Sequence, residues 1–274
     1  MSGPIGEQRI AILGLGKLGG ILLRGFLDKQ LVTLDRVCAT VHHAHNAEAR
    51  QKELGVATGT DNPAAAGQAD IVLLAVKPHS VRQVCEEIAP VVGESTLVIS
   101  VAASVHTDYL EEILGKVPVV RAMPNTPAVI GCGMTGICTG RHARAEHVEL
   151  TRQLFDAVGR TVILDEEHMD AVTGLSASGP AFVYVILESL AEAGVKVGLP
   201  RDVATLLAAQ STLGAARMVL ESGSHPALLK DEVTTPAGCT IDGILELEEG
   251  KIRVTLIKAV VKATERAKSL LLND

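Results

Sequence analysis

The sequence predicts an α/β protein in which a doubly wound parallel sheet, residues 1–165, is followed by an all-helical half, residues 166–274. Three observations predict it. Short β-branched runs alternate with helical stretches through the first half, the pattern of parallel strands joined by crossover helices. A glycine-rich turn joins the first run to the first helix. From about Glu166 onward no strand-like run remains, only long stretches of 3.6-residue periodicity. A chain of 274 residues is also about twice a typical single domain, which points to two.

The elements follow in order. Arg9–Leu13 is short, apolar and bounded by polar or turn residues, so it predicts the first buried strand, with Leu18–Lys29 the helix behind it. The alternation continues as strand Val37–Val41 and helix Ala47–Leu54, strand Ile71–Val76 and helix Ser80–Ala89, strand Leu97–Val101 and helix Thr107–Leu114. Val117–Ala122 is the next strand and Thr161–Leu164 the candidate for a last one, which sets the boundary near Asp165. Beyond it the periodicity predicts helices over Pro180–Val197, Asp202–Glu221, Ile241–Glu248 and Ile252–Leu271. These are small and apolar on almost every face, as in Val203–Leu207 and Ala208–Met218, and such helices must be buried on most faces. A helical half of about 110 residues cannot bury that much surface alone, so helix-against-helix dimerisation is expected.

Composition narrows the function classes. Hydrophobic residues make up 47% and charged residues 21%, enough apolar material for cores and too little charge for disorder. Aromatics are only 2%, with no Trp, which removes the stacking platforms of single-strand nucleic-acid binding. A net charge of −7 repels phosphate backbones, so no nucleic-acid partner is expected. A small anion can still bind through local backbone dipoles. Met1–Arg9 lacks the apolar core of a signal peptide, and no apolar run reaches the ~20 residues of a bilayer span, so no membrane partner is expected. Cys38, Cys85, Cys132, Cys138 and Cys239 are scattered and fit no common zinc spacing; free thiols in a reducing cytoplasm are the expectation.

The run Ile10-Ala-Ile-Leu-Gly14-Leu-Gly16-Lys-Leu-Gly19-Gly20 is a strand entering G-x-G-x-x-G and then a helix. Gly14 permits the tight turn, Gly16 lets the backbone approach a pyrophosphate, and Gly19 lets the helix pack close to the strand. The context is that of a dinucleotide-binding Rossmann fold. Folds selective for NAD place an acidic residue after the second strand, on the ribose 2′-hydroxyl. Here that strand ends Ala39-Thr40-Val41-His42-His43, and no carboxylate appears before Glu48. The gap favours NADPH, with NADH still possible, and Thr40 and His42 could donate hydrogen bonds to a 2′-phosphate. The trio His42, His43 and His45 lacks a neighbouring carboxylate or thiol, so no metal site is expected there.

Several further segments fit one family. They are Leu74-Ala-Val-Lys77-Pro78, Ser100-Val-Ala-Ala103, Arg121-Ala-Met-Pro-Asn125-Thr-Pro127, Thr173-Gly-Leu-Ser-Ala-Ser-Gly-Pro-Ala-Phe182 and Asp231-Glu-Val-Thr-Thr-Pro236-Ala-Gly-Cys-Thr240-Ile. Together they resemble the pyrroline-5-carboxylate reductases from end to end. The resemblance implies a Rossmann domain followed by a helical dimerisation domain, with the active site at the dimer interface. It also implies that Gly14, Leu15, Gly16, Lys17, Leu18, Gly19, Thr40, Asn62, Ala75, Val76, Lys77, Pro78, Val101, Ala102 and Ala103 line the cofactor. By the same resemblance Thr235, Gly238, Cys239 and Thr240 hold the substrate, with Glu166 at its border. There are departures: Lys17-Leu18 stands where Asn-Met or Gln-Leu is usual, Val41-His42-His43 replaces an Arg-bearing turn, and Ala237 replaces a common Gly.

The residues carry their own chemistry. Pro236-Ala-Gly-Cys-Thr240-Ile precedes a helix whose small residues leave the amides of Gly238, Cys239 and Thr240 accessible, a setting that binds a carboxylate without a cationic side chain. The alternative there is a simple helix cap by Thr235 or Thr240. Hydride reduction of a cyclic imine requires orientation, a dry cleft and one hydrogen bond to the ring nitrogen. The Thr240 hydroxyl, donor and acceptor, is the candidate catalytic group for that bond. Lys77, fixed by Pro78, is a contact to cofactor or substrate, or an ordinary strand-end lysine. Met123–Pro127 is a stiff loop, Ser176–Pro180 a small-residue helix start at a dimer seam, and Cys239 a packing residue rather than a nucleophile. β-Hydroxyacid dehydrogenases share the two-domain plan, but their Lys-x-x-Asn pair is absent from Pro180–Val197. A reductase of other cyclic imines and a non-catalytic NADPH-sensing regulator are the remaining alternatives.

Overall fold

The computed structural model describes residues 5–269. Met1–Pro4 of the segment judged not to be a signal peptide, and the end of the predicted last helix beyond Ser269, lie outside the described residues. The chain begins β1 (Ile10–Leu13), α1 (Lys17–Asp28), β2 (Val37–Thr40), α2 (Ala44–Leu54), β3 (Ala57–Gly59), α3 (Asn62–Ala66), β4 (Ile71–Leu74) and α4 (Val81–Ile88). It continues β5 (Leu97–Ser100), α5 (Thr107–Leu114), β6 (Val119–Met123), β7 (Gly133–Thr139), α6 (Ala145–Asp156), β8 (Gly159–Ile163) and α7 (Met169–Val172). Then come α8 (Gly179–Lys196), α9 (Arg201–Ser222), α10 (Pro226–Glu232), α11 (Cys239–Glu249) and α12 (Ile252–Ser269).

The strands form one sheet in the order β3-β2-β1-β4-β5-β6-β7-β8. Strand order reverses between β1 and β4, as a doubly wound sheet requires, and the pairs from β3 through β6 are all parallel. The sheet is not parallel throughout: β7 runs antiparallel to β6 before β8 resumes parallel pairing with β7. Neither β7 nor β3 was expected from sequence. β3 is a three-residue edge strand, exposed or half-buried, with no apolar run to announce it. β7 carries Gly133 and Gly136 and so resembles a turn, yet a Cβ at Gly136 would stand 2.8 Å from Val172. Its glycine admits α7 against the strand.

Both faces of the central strands are covered, which explains why β1 and β4 are apolar at every position. Ile10 and Ile12 face one core with Leu22, Phe26 and Phe155, and the two phenylalanine rings meet edge-on at 6.3 Å. Ala11 and Leu13 face the other, with Val72, Leu74, Val84 and Ile88. Among the described residues no strand follows β8.

The chain divides into two compact units, one running up to Ser178 and taking in the stretch from Lys262 onward, the other spanning Gly179–Val261. In the second, α8 and α9 pack through small residues: a Cβ at Gly194 would lie 2.8 Å from that of Ala204. Their buried positions are only Ala191, Ala204 and Ala208, while Tyr184, Leu190, Leu206 and Leu213 stay exposed on the single chain. The stretches Glu166–Lys196 and Arg201–Ser222 are helices long and apolar enough, by length and composition, to cross a membrane. This corrects the expectation that no apolar run reaches that length.

Candidate active site

The glycines divide the work at the carboxyl edge of β1. Gly14 sits at φ +93°, and a Cβ there would come within 2.9 Å of the Ala75 backbone, so only glycine makes this turn. The amides of Gly14 and Leu15 donate to the Thr40 carbonyl at 3.1 and 2.7 Å. A Cβ at Gly19 would meet the Gly14 carbonyl oxygen at 2.6 Å, whereas nothing lies within 4 Å of that position at Gly16. Gly16 therefore faces open space at the start of α1, a helix with no side-chain cap whose first-turn amides are left for an anion.

A cavity of about 840 Å³ opens at this edge, lined by Gly14, Leu15, Gly16, Thr40, Asn62, Ala75, Val76 and Lys77 among the expected cofactor residues. Leu15 is buried, so it offers backbone rather than side chain. The Thr40 hydroxyl donates to Asn62 Oδ1 at 2.7 Å, and Asn62 Nδ2 donates to Glu87 at 2.7 Å. The Thr40 proton is thus committed, and only its oxygen remains for a ligand. Lys77 is exposed, in the extended backbone that Pro78 imposes (φ −66°, ψ 149°). Other expected cofactor residues do not line the cavity. Lys17 lines a neighbouring cavity of about 480 Å³, Leu18 packs on the sheet core, and Gly19 lies buried under the glycine turn. Pro78 opens the turn before α4; Val101 and Ala102 are buried, and Ala103 packs against Met123, Cys138 and Met169.

The second unit carries the other expected set. Gly238 starts α11 with no side-chain cap, so neither Thr235 nor Thr240 closes the helix. The Gly238 amide is not free as expected: it donates to the Thr235 carbonyl at 3.1 Å, leaving Cys239 and Thr240 to open the helix. Thr235 is exposed and Thr240 half-buried, and Cys239 is exposed rather than packed. Ala237 sits at φ +58°, a left-handed conformation that explains why glycine is common there.

Glu166 is held inside the first unit. It pairs with Arg121 of β6, whose side chain is wholly buried, and accepts from the Thr107 amide at 3.0 Å and hydroxyl at 2.8 Å. The second Arg121 Nη lies 3.7 Å from Asp170, which in turn lies 3.8 Å from His106 Nε2. Burial pushes the Glu166 carboxyl up, but Arg121 and the two Thr107 bonds outweigh it and hold the group below its ordinary value. Burial, then the Glu166 carboxylate beside it, pushes the Cys138 thiol up, which keeps that sulfur protonated. Asn125 of the Met123–Pro127 loop donates to the Ser176 carbonyl at 3.2 Å and accepts from the Met134 amide at 2.9 Å, a bracing role.

Two family models match the chain, "NADP oxidoreductase coenzyme F420-dependent" over residues 9–104 and "Pyrroline-5-carboxylate reductase dimerisation" over residues 166–270. A pyrroline-5-carboxylate reductase of Methanosarcina acetivorans is 41% identical over 96% of this chain and 98% of that one. The chain belongs to the pyrroline-5-carboxylate reductase family. Among solved structures, the reductase of Coxiella burnetii matches with a TM-score of 0.88 at 36% identity, covering 96% of this chain and 98% of that one. The Plasmodium falciparum pyrroline carboxylate reductase with NADP bound also gives 0.88, at 29% identity, covering 96% and 98%.

Within this family fold, two groups were missed from sequence. Asn46, Arg50 and Glu53 line the cofactor-sized cavity from α2, where the helix looks only like a polar surface. Arg121 and Asp170 form a buried charge network, and one signal was available: an arginine inside the apolar run Val119-Val120-Arg121-Ala122 must find a carboxylate.

Proposed function

We propose that this protein reduces 1-pyrroline-5-carboxylate to L-proline with NADPH, the last step of proline biosynthesis. The observation that carries this is full-length kinship, 41% identity over 96% of the chain, with a reductase of that name. The glycine cradle fits the cofactor: Gly16 leaves the approach open where a Cβ would intrude, beside a cavity of about 840 Å³. When bound, NADPH supplies the hydride that the imine carbon receives. The chain's own groups bind and orient. The α11 start, with the Cys239 and Thr240 amides and Thr235, holds the substrate carboxylate, and the Thr240 hydroxyl bonds the ring nitrogen. The nitrogen carries its proton before transfer, so the protein needs no acid–base pair. Glu166, expected at the substrate's border, holds the α5 start through Thr107.

The dimerisation match over residues 166–270 makes the chain a homo-oligomer. We place it as a dimer in the cytoplasm, without nucleic-acid or membrane partners. The net charge of −7 and five free cysteines support this, and a second copy gives the exposed apolar faces of α8 and α9 a cover.

The test is NADPH oxidation followed at the nicotinamide absorbance with pyrroline-5-carboxylate, with NADH and a six-membered cyclic imine acid alongside. Substrate-dependent oxidation yielding proline is expected, faster with NADPH. Turnover only of the six-membered ring would make it another imine reductase. Cofactor binding without any turnover would make it a regulator.

A further inference from the structure

The notable gap in the cofactor cleft is the absence of an arginine in the turn after β2, where Val41-His42-His43 stands instead. The edge beyond β2 is where a dinucleotide's adenosine ribose sits in this sheet topology, so the 2′-phosphate must be met there. Among the described residues the cavity's permanent cations are Lys77, which follows β4, and Arg50, which projects from α2. Only Arg50 belongs to the β2 side. It shares one helix face with Asn46 and Glu53, four residues before it and three after, and all three line the cavity.

The other groups at this edge are less available. The Thr40 proton goes to Asn62, and Glu87 is taken by Asn62 and Gln83. The His42 and His43 rings meet at 4.4 Å, and His43 stacks on His45 at 5.4 Å. Arg50 Nη1 donates to Glu53 Oε2 at 2.8 Å, which leaves the rest of its planar donor fork for a phosphate. Glu53 would repel a 2′-phosphate if it stood alone, but its other oxygen accepts from Arg24 at 3.1 Å. Arg24 lines the neighbouring cavity, and Glu53 lines both. The trio Arg24–Glu53–Arg50 therefore presents one net positive charge to the β2 edge.

We propose that Arg50 is the residue that selects the 2′-phosphorylated cofactor, aimed by Glu53, which at the same time lowers the affinity by competing with the phosphate for the guanidinium. This rests on the reading that NADPH is the cofactor. It assigns to a helix residue what the turn after β2 cannot do in this chain.

Calorimetry on the full-length protein with 2′,5′-ADP and with ADP tests it without relying on turnover. The two probes differ in whether a phosphate stands on the ribose 2′-oxygen. Wild-type protein binds 2′,5′-ADP more tightly. Arg50→Ala loses about 10- to 100-fold in 2′,5′-ADP affinity, the worth of a charge-assisted contact, with ADP affinity unchanged. Glu53→Gln binds 2′,5′-ADP more tightly than wild type, because the arginine is released. Arg50→Lys recovers part of the loss, and matching circular dichroism melts show each variant folded. An Arg50→Ala variant that keeps its 2′,5′-ADP affinity, or loses both probes equally, overturns the assignment to Arg50. Weaker binding by Glu53→Gln overturns the competition. Equal binding of the two probes by wild-type protein overturns the NADPH reading itself, and is seen with no variant in hand.

Discussion

Arg121→Met would remove a guanidinium from the middle of β6 while keeping an apolar stem of similar length. The side chain is wholly buried, pairs with Glu166, and stands 3.7 Å from Asp170, itself almost completely buried. Removing one partner of a buried pair costs about 3–5 kcal/mol, because the remaining charge is left uncompensated. Glu166 keeps both Thr107 bonds, and Asp170 keeps His106 at 3.8 Å, so the lower end applies, about 3 kcal/mol. At about 2–4 °C per kcal/mol the melting temperature falls by about 6–12 °C. Glu166→Gln leaves the buried Arg121 with the Asp170 carboxylate at 3.7 Å, and its pH signature has a definite sign. The folded carboxyl titrates below its ordinary value of 4.5, so its stabilisation is complete above that value and is lost as pH falls through the folded value. The gap between wild type and Glu166→Gln is therefore widest near neutrality and closes in acid. Thermal melts by circular dichroism from pH 7 downward measure both effects. An Arg121→Met melt within about 2 °C of wild type at pH 7 would refute the buried-pair reasoning. So would a Glu166→Gln gap that stays constant into acid.

The glycine turn gives a paired prediction. Gly16→Ala folds normally but loses NADPH binding, because its Cβ enters only the ligand's space; Gly19→Ala, which drives a Cβ to 2.6 Å from the Gly14 carbonyl, lowers the melting temperature as well. Fluorescence titration with NADPH beside thermal melts separates the two. Thr240→Ala should keep NADPH binding and lose turnover by about tenfold or more, one lost hydrogen bond at the reacting nitrogen; near-normal turnover would remove Thr240 from its role. Ala237→Gly should leave stability equal or raise it by up to about 1 kcal/mol, relief of left-handed strain at φ +58° set against the greater freedom of unfolded glycine, as read from denaturant midpoints.

How much of the molecule is legible in the sequence depends on the distance along the chain over which each feature is determined. β1, the glycine turn and α1 are set by neighbours in the chain: four apolar residues, three glycines at fixed spacing, then an amphipathic helix. The central strands were legible for the same reason, since a strand buried on both faces is apolar at every position. β7 failed that test because its glycines serve a contact with α7, some thirty-six residues beyond Gly136 at Val172, and nothing local distinguishes a glycine in a strand from one in a turn. The charged groups show the limit most clearly. Arg121 and Glu166 are 45 residues apart and Arg24 and Glu53 are 29 apart; the arginine inside an apolar run signals a partner without naming it, and the other three read locally as ordinary polar positions. Their meaning appears only when the sheet order places β6 beside α5 and the start of α7, and α2 beside α1. The glycines announce that a dinucleotide binds because the backbone makes that site; which dinucleotide is preferred is decided by side chains that only the fold brings together, and Arg50 with Glu53 is where that choice can be changed without disturbing the turn itself.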